Sequence, residues 1–329
     1  MIVRVLSTYC FSITLLVVFS ITPSARAAAP ANVRIALTAY SSSNWQIFAA
    51  VKRGFFKREN LNVEVIILRS SVVQTQALLA NDIQMNTYSI DSAAKPVLQG
   101  APIKLVGTSQ EKPSFRAIVG KEIRGWNDLK GKTLAAGSPG GAFYTMFASM
   151  MAVNGIKKSD YTYLSIGRSS DRISAMRAGH IQGCLIGQPD DFVLLDDGFK
   201  SLGFTQDYLK DVQYAGFAVN GKWAEKNEET LVSTMRALVR ATRWLHDPAN
   251  KKDALAVLLD YFPDWKPSWQ EQTYDMLIRQ KMMSTDARPN MKGIENFLKL
   301  AVDHGGIASV PPLETWVDRS YVEKASRAL

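Results

Sequence analysis

The sequence predicts a two-lobed α/β protein. Strand-like and helix-like segments alternate in two successive runs, from residue 33 to 108 and from 115 to 186. A helix–turn–strand passage recurs between the runs. It reads ALLANDIQ at 77–84 and AMRAGHIQ at 175–182, a pattern A-[LM]-x-A-[NG]-x-I-Q offset by 98 residues. The length, 329 residues, suits two domains at about 150 residues each.

In the first run, VRIALT (Val33–Thr38) is the first strand. A helix over Asn44–Lys57 gathers Trp45, Phe48, Ala49, Val51 and Phe55 largely on one side. LNVEVIIL (Leu61–Leu68) alternates as a strand. Val72–Ala80 is a helix, Ile83–Tyr88 a strand, Ser92–Gln99 a helix and Ile103–Thr108 a strand. This βαβα rhythm implies a largely parallel sheet covered by helices.

In the second run, FRAIVG (Phe115–Gly120) and Thr133–Ala136 are strands. Phe143–Asn154 is a helix ending at Asn154-Gly155, Tyr161–Ile166 a strand, Ser170–Ala178 a helix and Ile181–Ile186 a strand. YAGFAV (Tyr214–Val219) is another apolar strand. Beyond it Leu231, Met235, Leu238, Val239, Thr242 and Leu245 repeat with helical period, and Pro-broken helices run to Leu329.

Composition narrows the function. The chain is 47% hydrophobic and 21% charged, an ordinary globular balance. Its long apolar run, Cys10–Ile21, is too short to span a bilayer comfortably. Arg4 precedes it and Ala25-Arg26-Ala27 follows, the order of a secretory signal peptide cleaved after Ala27. Cleavage removes Arg4 and Arg26, lowering the formal net charge from +9 to +7, and removes Cys10. Cys184 then remains alone, read as an inert buried thiol. The basic pairs Lys52-Arg53, Lys57-Arg58, Lys157-Lys158 and Lys251-Lys252 are scattered among acids, so no nucleic-acid partner is expected.

Several passages resemble a known family. They are AAVKRGFFKRENLNVEV (49–65), QALLANDIQM (76–85), WNDLKGKTLAAGSPGGAF (126–143) and RISAMRAGHIQGCLIGQPD (172–190). Together they resemble the periplasmic solute-binding proteins of ABC importers, of the nitrate/sulfonate/taurine and thiamine-precursor-binding type. Lys52-Arg53, Asn60 and Gln182 depart from the family's usual acid, turn Gly and Asp. The resemblance implies the type II periplasmic binding protein fold: two α/β lobes, each a mixed, mostly parallel sheet flanked by helices, joined by two hinge strands, here FRAIVG and YAGFAV. It divides the chain into a signal peptide (1–27), lobe 1 (28–113 and the mostly helical 221–329) and lobe 2 (114–220). It implies a periplasmic monomer that passes a small-molecule ligand to an ABC permease in the inner membrane.

The candidate ligand residues follow from a geometric rule: in open parallel sheets, ligands sit beyond the strand C-termini. The first strand leads to Ser41, Ser42, Ser43, Asn44 and Trp45, the second to Ser70 and Ser71, and the third ends at Tyr88. In lobe 2 the rule selects Ser138, Gly140, Gly141 and Ala142, then Gln188 and Asp191. Small polar residues and glycines at helix starts leave N–H groups open to an anion. Arg69 and Arg168 are weaker candidates, more often surface residues than anion clamps. Aromatic neighbours (Trp45, Tyr88, Phe143, Tyr144) favour an organic solute over nitrate.

No enzyme is expected, and no catalytic residue, cofactor or metal site is assigned. His180, His246 and His304 lack ligand spacing, GSPGG lacks the Lys-Ser/Thr of a phosphate loop, and no G-x-S-x-G elbow occurs. The expected function is capture of a small organic, sulfonate- or carboxylate-like anion in the interlobe cleft for import. The alternatives are a ligand sensor signalling to a membrane receptor, which a neighbouring permease and ATPase gene pair would disfavour, and a vitamin-precursor enzyme on the same fold, which turnover would reveal.

Overall fold

The structure is a computed structural model describing residues 29–329. The expected signal peptide, its expected cleavage point after Ala27 and Cys10 lie outside the described residues. Among those described, no helix is long and apolar enough to cross a membrane.

The first lobe opens with β1 (Ala31–Leu37), α1 (Trp45–Lys52) and α2 (Phe55–Arg58). It continues through β2 (Leu61–Ile67), α3 (Ser71–Ala80), β3 (Met85–Ser89), α4 (Ile90–Leu98) and β4 (Ile103–Gln110). The single helix expected over 44–57 is two helices. Gly54 adopts a left-handed φ of +69°, which ends α1 and starts α2.

The second lobe contains β5 (Arg116–Val119), β6 (Thr133–Ala136), α5 (Ala142–Val153), β7 (Thr162–Ser165) and α6 (Ser169–Arg177). It ends with β8 (Gly183–Ile186), α7 (Asp190–Asp196), β9 (Lys200–Phe204) and α8 (Thr205–Tyr208). The chain then returns as β10 (Ala215–Asn220), α9 (Gly221–Lys226), α10 (Glu228–His246) and α11 (Lys251–Tyr261). Three more helices follow, α12 (Pro267–Tyr274), α13 (Met291–Asp303) and α14 (Ser320–Arg327).

The two sheets have the same plan. Their strand orders are β2-β1-β3-β10-β4 and β7-β6-β8-β5-β9. In each, the first three strands are parallel and the fourth is antiparallel to its neighbours. The fourth strand is always the first strand after the chain changes lobes. FRAIVG forms β5 inside the second sheet, and YAGFAV forms β10 inside the first. The chain passes between the sheets through 111–115 and 205–214.

The helical periodicity after β10 is realised in α10, which buries Leu231, Met235, Leu238, Val239, Thr242 and Leu245 against α1 and α14. Each such aliphatic side chain contributes about 1.5–3 kcal/mol of hydrophobic stabilisation. A second apolar cluster runs continuously between lobes, from Ile90 and Leu105 through Phe297 of α13 to Met146 and Phe147 of α5. The strand C-termini of both sheets are therefore held at a common boundary.

Candidate functional site

The loops beyond the strands differ in how much they leave open. Ser41 is extended, and its Oγ accepts from Ser43 N (3.4 Å) and Ser43 Oγ (3.1 Å). Ser41 and Ser43 are half-buried, whereas Ser42 and Asn44 are buried in the turn. Trp45 is fully buried: its Nε1 donates to Ala254 O (3.2 Å) and its ring lies edge-on to Tyr274. The indole therefore packs the first lobe onto α11 and α12.

At the second strand, exposed Ser70 caps α3 by accepting from Val73 N (3.5 Å). Ser71 is half-buried, and its carbonyl accepts from the Tyr88 hydroxyl at 3.2 Å. Tyr88 is buried, its hydroxyl also pairs with Thr75 at 2.5 Å, and burial raises its pKa. The phenol thus ties β3 to the first turn of α3.

In the second lobe Ser138 is exposed and its carbonyl accepts from Gly141 N (3.0 Å), closing a turn with Gly140 at φ +73°. Gly141 is the N-cap of α5, and Ala142 is its first residue. The first-turn N–H groups of a helix have no intrahelical partner, and the dipole's positive end lies there. Gly140 also meets the first lobe. Its carbonyl accepts from Lys95 Nζ (3.2 Å), and a Cβ at this position would lie 3.0 Å from Gly305 O.

Gln188 and Asp191 are buried. Gln188 Nε2 donates to Ser114 O (2.9 Å), and Asp191 pairs with Arg116 Nε at 2.9 Å while accepting from Phe192 N. Burial raises the Asp191 carboxyl pKa although Arg116 opposes it. The sequence-selected residues thus separate into open edges (Ser41, Ser43, Ser70, Ser71, Ser138, Gly140, Gly141) and groups committed to internal contacts (Ser42, Asn44, Trp45, Tyr88, Gln188, Asp191), with Ala142 beginning α5.

Two buried charges were not singled out from the sequence. Arg172 donates to Ile166 O (2.6 Å), Gly167 O (3.0 Å) and Ser169 Oγ (3.1 Å), and its Cζ lies 5.5 Å from the Phe143 ring. It is 2% exposed and in no ion pair among the described residues. Burial lowers its pKa and raises that of nearby Asp190. Arg172 therefore puts a cation beneath the loops that follow β6, β7 and β8. The second, Asp91 in the first turn of α4, is buried with one carboxylate oxygen unpartnered; Lys95 Nζ is 3.7 Å from the other. No local signal marked Arg172: Arg168, four residues earlier, is the exposed, extended residue that precedes α6.

A family model described as NMT1/THI5 like matches residues 42–251. YtlA of Bacillus subtilis (strain 168) is 21% identical over 303 residues, covering 89% of this chain and 90% of its own length. Among solved structures, a ligand-binding component of an ABC-type import system from Staphylococcus aureus superposes with a TM-score of 0.76 at 15% identity, covering 90% of this chain and 99% of that one. The alkanesulfonate-binding protein SsuA from Xanthomonas axonopodis pv. citri, bound to MOPS, gives 0.72 at 18% identity, covering 89% and 100%. At these identities the structural matches establish the fold, the two-lobed periplasmic binding protein architecture.

Proposed function

This chain belongs to the NMT1/THI5-like family, and on that premise we propose that it is the solute-capturing component of an ABC import system. It works in the periplasm as a monomer and delivers its ligand to an inner-membrane permease. The ligand is a small organic anion, sulfonate- or carboxylate-like. The observation that carries this reading is the start of α5: a Ser138–Gly141 turn with open first-turn N–H groups, with the buried guanidinium of Arg172 5.5 Å from the Phe143 ring of that first turn. A buried guanidinium whose hydrogen bonds go to carbonyls and a hydroxyl, with Asp190 nearby as a partial counter-charge, favours an arriving anion.

The closing bodies are 29–113 with 215–329, and 114–214: β10 (Ala215–Asn220) moves with the first body, not with 114–220, because it lies inside the first sheet. Closure bends the passages flanking β5 and β10 and brings the Ser41–Asn44 and Ser70–Ser71 loops towards the Ser138–Ala142 turn. No catalysis is assigned. The Cys184 thiol, pushed up to about 12 by burial, is a poor nucleophile at neutral pH.

Thermal unfolding against a panel of sulfonates, carboxylates, nitrate and neutral pyrimidines tests the reading, because a ligand that binds only the folded state raises the melting temperature. An organic anion that raises it and titrates to one equivalent supports the proposal. Stabilisation by neutral pyrimidines alone contradicts the anionic assignment.

A further inference from the structure

A cavity of about 290 Å³ lies along the flank of α5, from Tyr144 in its first turn to the turn that follows the helix. It reaches the turn after α5, which leads to the N-terminal end of β7, the opposite edge of the sheet from the Ser138–Ala142 turn. Ala148 and Ala152 give it an apolar wall, and Tyr144, Tyr161 and His304 give it rings. The Tyr144 ring stands edge-on to His304 with centroids 6.2 Å apart. His304 follows α13 in the return segment, whereas the other lining residues belong to the second lobe, so an occupant touches both.

The polar groups facing this space are mainly donors. Lys157 and Lys158 line it, and neither ammonium is in an ion pair among the described residues. The hydroxyls of Tyr144 and Tyr161 make no hydrogen bond among the described residues. Burial pushes the Tyr161 phenol up to about 12, so it remains a donor at neutral pH. Of the nearby carboxylates, Asp160 accepts from the Lys157 backbone N–H (2.9 Å), and Asp303 adjoins His304. The volume sits at the small end for ligand pockets, roughly 300–1,000 Å³.

We propose that this cavity is a second binding site, distinct from the interlobe cleft, that takes a small carboxylate on an aromatic body. The carboxylate meets Lys157, Lys158 and the Tyr161 hydroxyl, and the ring packs against Ala148 and Tyr144. This assignment is independent of what the cleft binds.

Benzoate is the probe, titrated into the mature protein at low salt and followed by amide chemical shifts. The expected result is one saturable site with shifts at Tyr144, Tyr161 and His304. A Lys157→Ala/Lys158→Ala double variant should weaken binding at least tenfold, and Tyr161→Phe severalfold, with circular dichroism unchanged. The proposal is overturned by any of three results: no saturable shift at these residues, equal affinity for neutral benzamide, or undiminished binding in the folded double variant. Shifts confined to Ser41–Asn44 and Ser138–Ala142 would also overturn it, because benzoate would then be a cleft ligand.

Discussion

Gln84 and Gln182 make the same pair of hydrogen bonds in the two sheets. Gln84 Oε1 accepts from Arg34 N (2.8 Å) and its Nε2 donates to Asn81 O (2.9 Å). Gln182 Oε1 accepts from Thr133 N (3.1 Å) and its Nε2 donates to Gly179 O (2.8 Å). Each glutamine clamps the turn before its own strand to the neighbouring parallel strand. The turns match too: Asn81 (φ +62°) and Gly179 (φ +73°) are both left-handed residues just beyond the helix. The backbone N–H groups of Asp82 and His180 both reach back 2.9 Å to Ala77 O and Ala175 O.

Gln84→Ala and Gln182→Ala should each destabilise the protein by about 1–3 kcal/mol, two hydrogen bonds at roughly 0.5–1.5 kcal/mol apiece. The sites share no partner, so the double variant should show the sum. Urea unfolding of all three variants checks this. A cost at one site and none at the other would break the equivalence.

Gly140→Ala should cost about 1–2 kcal/mol from its left-handed backbone alone. The contact with Gly305 O adds to that. Calorimetric unfolding measures it, and an unchanged melting temperature would show that the turn shifts freely away from the first lobe.

Asp91 supplies a pH test. Burial, outweighing help from Ser89 and Lys95, raises its carboxyl pKa above 3.8 in the folded state. A raised carboxyl contributes stability that is full below the unfolded value and is lost as pH rises through the folded one. Asp91→Asn should therefore be more stable than the parent at pH 7, with a gap that shrinks towards pH 3.8. Unfolding free energies at stepped pH decide it, and a pH-independent gap would contradict the assignment.

Ser138→Asp places a carboxylate at the start of α5. The residue is exposed and an acid suits a helix N-terminus, so folding should be unaffected. Repulsion in the closed cleft should weaken an anionic ligand at least tenfold. Calorimetric titration with the strongest anion from the thermal panel checks this, and undiminished affinity would remove the turn from the site.

The parts of the fold that rest on local pattern were legible in sequence. The β-α alternation, the α10 stripe and the paired ALLANDIQ and AMRAGHIQ turns are written in residues close in the chain. What was not legible depends on distant contacts. KSLGF becomes β9 only by pairing with β5, and nothing in its composition marks a strand. Gly54 sits inside an apolar periodic run, and its left-handed φ appears only when α2 turns onto β2. The rule about strand ends selected loops, and within them it could not separate exposed residues from buried ones. Trp45 follows a serine-rich loop yet finds its partner in Ala254, 209 residues away. Arg172 was passed over because a helical arginine is usually solvent-facing, and its burial depends on the carbonyls of the loop after β7.

Native mass spectrometry of the mature protein, isolated from envelope extract at low salt and then exposed to the thermal panel, tests capture of a small anion most directly. The account predicts one non-covalent adduct per chain, lost on denaturation, with the mass of an organic sulfonate or carboxylate. A bare protein mass in the extract and with every member of the panel would contradict it.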